Sequence, residues 1–161
     1  MATVQYFLKI DGVEGESTDA AHRGEIEVQS FNWAEAQPGT PGAGGHGAGK
    51  VQPQDLQFLK TLDKASPRLF IACATGERFS HAILSARKAG GAQQDYLRIT
   101  LEDVFVSSYQ VGGSSQSGVP PDDEVGLRFA RLEMSYKEQR ADGSLGGEVR
   151  HKYDFAANRK L

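Results

Sequence analysis

The chain has 161 residues, 39% of them hydrophobic and 24% charged, with a formal net charge of −3. That length suits one domain with a real core, and the acidic balance offers no electrostatic footprint for nucleic acid. The single cysteine, Cys73, excludes an intrachain disulfide or a cysteine-built zinc site and reads as a small buried hydrophobe.

Met1–Ile10 lacks a basic n-region, a sustained apolar run and a cleavage site, so it reads as a strand and not a signal peptide. No stretch has the length and apolarity of a transmembrane helix. The expectation is a chain that folds in the cytosol and, if exported, leaves by a route that reads no cleavable signal. Thr3–Ile10 alternates, with Val4, Tyr6, Leu8 and Ile10 on one face, as a half-buried strand does. Asp11-Gly12 and Gly15 mark a turn, and Glu16–Gly24 is polar. In Glu25–Trp33, Ile26 and Val28 share one phase and Phe31 and Trp33 the other, which predicts a β-bulge near Gln29-Ser30.

Ala36–Lys50 then interrupts the pattern with glycines and with Pro38 and Pro41. Gly44, Gly49 and Lys50 have the spacing of a phosphate-binding P-loop. That site needs a Ser or Thr after the lysine to ligate Mg²⁺, and a tight placement between a buried strand and a helix. Val51 follows instead, Pro53 comes soon after, and the preceding strand ends near Trp33. The run reads as an extended Gly/Pro loop that cannot offset its own ordering entropy and is either disordered or ordered by a partner.

Asp55–Asp63 is ambiguous. Leu56, Leu59 and Leu62 have helical spacing, whereas Leu56 and Phe58 fit a strand. Ser66-Pro67 reads as N-cap and first residue of a short helix over 67–75, stopped by Gly76. Phe79–Lys88 alternates loosely and ends at Gly90-Gly91. Tyr96–Val111 is the longest strand signal, with a phase slip at Glu102-Asp103 that predicts a second bulge and a bend between sheets. Gly112–Pro121 is a small polar loop. Glu124–Gln139 is a strand, Ala141–Gly143 and Gly146-Gly147 turn the chain, and Val149–Phe155 is the last strand. Seven or so strands and one helix, without a long repeat, predict a mainly β protein. The expected fold is a two-sheet barrel or sandwich over residues 1–161 as a single domain.

Catalytic patterns are missing. His22, His46, His81 and His151 have no ligand spacing and read as surface or strand residues. Asp122-Asp123-Glu124 follows Pro120-Pro121 and reads as a solvated turn. Ser114, Ser115 and Ser117 lie in a glycine loop without a G-x-S-x-G nucleophile elbow. No enzyme, metal or cofactor is expected.

The order of several short pieces carries a resemblance. They include Gly15-Glu16-Ser17, His22, Gly47–Val51, Asp55-Leu56, Lys60, Asp63-Lys64, Ser66-Pro67, Ala72-Cys73, Arg87–Gly91, Val106–Ser108 and Gly112–Ser114. Together they resemble Hcp, the hemolysin-coregulated protein family of type VI secretion tubes. The match is looser beyond Gly143. The resemblance implies a strand through Val51–Asp63, with Leu59 standing where a polar residue is expected, and a helix after Ser66-Pro67.

It further implies homo-hexameric rings stacked into a tube inside a contractile sheath with baseplate proteins. A spike protein of the VgrG type caps that tube, and effector proteins ride in the lumen. On this reading Gly39, Gly42, Gly44, Gly45, Gly47, Gly49 and Lys50 belong to a loop ordered by a neighbouring subunit or ring. Heterologous contacts close rings, and ring closure covers exposed sheet edges. A channel for varied cargo should be lined with small neutral residues, which places Ser114 and Ser115 toward the lumen. Two alternatives stand beside it. One is a monomeric ligand- or carbohydrate-binding β-sandwich with a cleft around Trp33; the other is a hydrolase acting through Lys50 or a serine.

Overall fold

A computed structural model describes residues 3–39, 50–88 and 94–161. In chain order the elements are β1 (Val4–Ile10), β2 (Ile26–Val28), β3 (Ser30–Asn32), β4 (Glu35–Ala36), β5 (Gln52–Pro53) and β6 (Leu56–Thr61). Then come α1 (Ala65–Thr75), β7 (Arg78–Lys88), β8 (Asp95–Gly112), β9 (Asp122–Gln139), β10 (Leu145–Asp154) and β11 (Arg159–Lys160). The fold is mainly β, with one large antiparallel sheet, a small β4–β5 ladder and one short helix.

Two strands of 18 residues, β8 and β9, organise the sheet. β8 borders β9 along its length. On its other side β9 pairs first with β6, from Thr61↔Asp122 to Leu56↔Leu127, and then with β10, from Arg131 to Gln139. The path continues from β8 through β7 and β1 to β2. β2 and β3 are one chain segment broken at Gln29: β2 pairs with β1, β3 pairs with β6, and Gln29 N–H donates to Leu59 O at 2.8 Å. The phase slip expected there is the point where the strand passes from one ladder to the other and closes the barrel. Closure buries Leu8, Ile26, Leu56, Phe58, Leu84, Leu101, Val104 and Leu127 in a single core.

The second slip is a bend of another kind. Asp103 adopts φ +55°, and Leu101 and Val104 on either side both point inward. The register offset to β9 is the same at Glu102↔Arg131 and Val104↔Phe129, because β9 changes phase at Ala130-Arg131 as well. Two strands kinking together keep their ladder, so no bulge forms at Glu102-Asp103. The register shift falls between Val106 and Ser108 instead.

The ambiguous segment is strand β6, burying Leu56, Phe58 and Lys60 at period two. Leu59 is half-buried and Leu62 exposed, so the three-residue leucine spacing marks no common face. The helix starts before Pro67. Ser66 lies inside it, and the capping acceptor is Asp63, whose Oδ1 takes the Ala65 N–H at 2.9 Å while Ser66 Oγ takes the Asp63 N–H at 3.0 Å. Gly76 ends the helix in the left-handed region at φ +68°, as expected. Gly146-Gly147 is an irregularity within β10 rather than a turn. Eleven strands appear among the described residues where seven or so were expected, since two-residue ladders and the split at Gln29 leave no periodic signal.

Candidate assembly surfaces

The base of the glycine loop is built. Glu35↔Pro53 and Ala36↔Gln52 form its ladder, and Gln54 N–H donates to Ala34 O at 2.8 Å. Trp33 joins that base to the barrel. Its indole Nε1 donates to Gln54 O at 3.0 Å, and its ring lies 6.3 Å from both Phe129 and Phe155. Gly39 is half-buried and Lys50 exposed. Gly42, Gly44, Gly45, Gly47 and Gly49 lie outside the described residues.

Ser114 and Ser115 are exposed at the tip of the β8–β9 hairpin. Ser114 Oγ accepts the Gln116 N–H at 3.3 Å, and its carbonyl accepts Ser117 Oγ–H at 3.0 Å. These bonds shape a turn and leave the hydroxyl of Ser115 to solvent. The tip and the base of the glycine loop stand at the ends of different ladders.

Two buried polar networks were invisible in the sequence. The first centres on Lys60, fully buried, whose Nζ lies 2.7 Å from Asp63 Oδ1, 2.7 Å from Ser66 Oγ and 3.0 Å from Asp123 Oδ1. Tyr109 O–H donates to Asp123 Oδ2 at 2.8 Å. Burial first, and then that carboxylate, push the Tyr109 phenol up to about 12. Asp123 is therefore no part of a solvated turn. It sits in the first residues of β9, and the alternation that buries it continues through Val125 and Leu127.

The second network covers the outer face of β1. Phe7 is buried beneath His22, stacked at 4.3 Å with rings 5° apart, and beneath the Arg87 guanidinium at 4.9 Å. His22 Nδ1 is 3.0 Å from the Glu25 carboxylate and Nε2 is 2.9 Å from Asp95 Oδ1. Arg87 forks onto Asp19 and holds that carboxyl below its ordinary range. His22 is thus buried, not superficial, and its partners join Asp19–Glu25 to the barrel. Only the i,i+3 spacing of His22 and Glu25 hinted at this; Asp95 lies 73 residues away.

On the surface, Glu102 receives Lys152 Nζ at 2.7 Å and Arg131 Nε at 2.5 Å. These bonds, Lys152's first, hold its carboxyl below the ordinary range. Among the described residues no group of three or more His, Cys, Asp or Glu is arranged to hold a metal ion, and no helix is long and apolar enough to cross a membrane. Networks like these lock elements together. They bring no nucleophile and base to a shared cleft, and Lys50 and Ser114 are not brought together with any of them.

Comparison with known proteins identifies what such a scaffold is for. The family model described as "Type VI secretion system effector, Hcp" matches residues 7–136. A curated relative, Protein hcp1 of Pseudomonas aeruginosa, is 43% identical over 158 residues, covering 96% of this chain and 97% of the relative. The crystal structure of Hcp1 from Salmonella typhimurium superposes with a TM-score of 0.84 at 38% identity, over 100% of both chains. A structure described as a type six secretion system protein superposes with a TM-score of 0.92 at 28% identity, over 99% of this chain and 100% of that one. The chain belongs to the Hcp family of type VI secretion tube proteins, a structural and non-enzymatic family, and its function is that of a hexameric tube subunit.

Proposed function

We propose that rings of this chain stack through the glycine loop, and that the stacked tube carries effector proteins in its lumen. The tube is assembled in the cytoplasm within a contractile sheath on baseplate proteins, is capped by a spike protein, and is exported. The observation that carries the stacking reading is the Trp33 clamp. It ties the segments that flank the glycine run to the aromatic group of Phe129 and Phe155, so both sides of the run spring from a rigid base. Gly39 is the last described residue before the run and Lys50 the first after it. A loop of that composition gains order from a neighbour at an entropic cost that a repeated contact offsets.

Deleting residues 39–49 tests this directly. The variant should keep a ring of unchanged mass and lose the ability to form tubes in negative-stain images. Long tubes from the deleted chain would sink the stacking role. For the lumen, Ser114 and Ser115 are the proposed lining residues, on the strength of their short uncharged side chains. Ser114→Trp should leave rings intact and lower co-purification of cargo, whereas unchanged cargo retention would remove these serines from the lumen.

A further inference from the structure

The segment between β1 and β2 lies over the outer face of β1 and is held there almost without apolar burial. From Glu14 to Glu25 its buried residues are Gly15, Ser17 and His22. Its backbone folds back on itself: Gly15 N–H donates to Gly24 O at 2.8 Å, Ser17 N–H to Glu25 O at 3.1 Å and Gly24 N–H to Ser17 O at 2.8 Å. Among the described residues, every side-chain hydrogen bond that leaves the segment involves a charged group. Glu14 Oε1 and Glu16 Oε2 take Lys64 Nζ at 3.1 Å and Lys64 N–H at 2.6 Å, Asp19 takes the fork of Arg87, and His22 meets Asp95.

His22 is the buried member of this set, and its geometry is demanding. Nδ1 lies 3.0 Å from both oxygens of Glu25, and Nε2 lies 2.9 Å from Asp95 Oδ1. A carboxylate only accepts hydrogen bonds, so both ring nitrogens donate, and a ring with two N–H groups is the imidazolium. The ring also lies flat on Phe7, whose face favours a cation above it. A neutral ring has a single N–H and would turn a lone pair toward one of its two carboxylates. The charges around it come from five elements. Its own segment supplies Glu25, Asp19 and Arg23. β1 supplies Lys9, which shares a groove with Arg23 and Glu25, and β2 supplies Glu27, opposite Phe7. β7 supplies Arg87, which forks onto Asp19, and β8 supplies Asp95 with Arg98, whose Nη2 is 3.4 Å from Asp95 Oδ2. Among the described residues, only the two carboxylates, Glu25 and Asp95, come within hydrogen-bond distance of the imidazole nitrogens.

We propose that Asp19–Glu25 is a pH-sensitive clasp: His22 holds the segment to Phe7 and Asp95 while its ring carries two protons, and lets it go when the ring loses one. The direction follows from the bonds. Both contacts are complete when the imidazole is charged, so the clasp is closed in mild acid and loosens as pH rises through the range in which histidines change charge. Opening uncovers Phe7, which is otherwise buried beneath His22 and Arg87. It also slackens the segment whose Glu14 and Glu16 hold Lys64 at the start of α1. The Asp19–Arg87 pair keeps its charge throughout that range and serves as the hinge on which the segment stays attached. The clasp stands on contacts within one chain and does not depend on how rings form or stack.

The test is amide hydrogen exchange read by mass spectrometry on the whole chain in its native assembly, with rates corrected for the intrinsic effect of pH. Protection is compared between about pH 5.5 and about pH 8.5, which brackets the charge change of histidine, for a peptide spanning Glu14–Glu25 and a reference peptide from β9. In the parent, protection of the Glu14–Glu25 peptide should fall by roughly tenfold or more, the effect of losing one charge-assisted hydrogen bond, while the β9 peptide holds steady. His22→Gln should give low protection at both pH values. Asp95→Asn keeps the shape, removes one of the two charges and offers an N–H to a neutral ring, so the fall should shrink; this variant decides the matter if His22→Gln does not fold. Equal protection at both pH values in the parent, or protection that rises with pH, would overturn the clasp. A fall of unchanged size in Asp95→Asn would assign the step to another group and overturn it as well.

Discussion

Lys60 and Asp123 face each other at 3.0 Å with neither side chain exposed. The approach is ionic rather than an aligned hydrogen bond, since Asp123 Oδ1 receives no well-directed donor. The pair joins β6 to β9, and through Ser66 and Tyr109 it reaches α1 and β8. Burying such a pair is expensive, and removing one partner is worse than removing both.

Lys60→Met should therefore destabilise the folded chain by roughly 3–5 kcal/mol, because it leaves Asp123 buried without a counter-charge. Lys60→Met combined with Asp123→Leu should recover most of that loss. Urea unfolding of both variants checks it. A double variant as unstable as the single would show that the pair contributes more than mutual neutralisation.

Tyr109 gives the same network an alkaline limit. Its phenol is raised from 10.0 to about 12, chiefly by burial and then by the bond to Asp123. A raised value means that the folded state favours the neutral phenol. The contribution is complete below the unfolded value and is lost as pH climbs from about 10 to about 12. Thermal melts of the parent should fall through that window, and Tyr109→Phe should flatten the fall. Parallel curves would contradict the assignment.

The acid side is set elsewhere. The Glu102 carboxyl is held low by Lys152 and then Arg131. Its contribution is present above the unfolded carboxylate range and disappears as pH falls through the folded value. Glu102→Gln should lower stability at neutral pH and make the decline on acidification shallower, measured as Tm against pH.

Gly15 should tolerate no side chain. A Cβ there would stand 2.4 Å from Glu25 O, and the neighbouring backbone hydrogen bonds, Gly15 N–H to Gly24 O and Ser17 N–H to Glu25 O, hold the two segments together. Gly15→Ala should cost about 1–3 kcal/mol, the usual range for overpacking, in a denaturant titration. A neutral substitution would mean that this loop shifts freely.

The sequence displayed whatever has a period. Alternation placed β1, β7, β8 and β9, Gly76 marked the helix end, and the slip at Gln29 marked where β2 passes to β3. It could not display contacts made at long range. Lys60 and Asp123 are charged residues on strands whose alternation points them inward. Charge argued for solvent in each, and only the partner, 63 residues away along the chain, reverses that argument. Asp103 misled in a finer way, because a phase slip looks alike whether one strand bulges or two strands kink together. The Ser-Pro pair is a strong local signal that points to Ser66 as the cap, whereas Asp63 makes it through a bond within the folded turn. Family likeness, carried by ordered short pieces rather than by any catalytic motif, supplied the function.

The measurement closest to the central claim is the mass of the purified chain in solution, by size-exclusion chromatography with light scattering and negative-stain imaging of the same fraction. The account predicts a species of six chains, seen as rings. A monomer that persists at high concentration would contradict it.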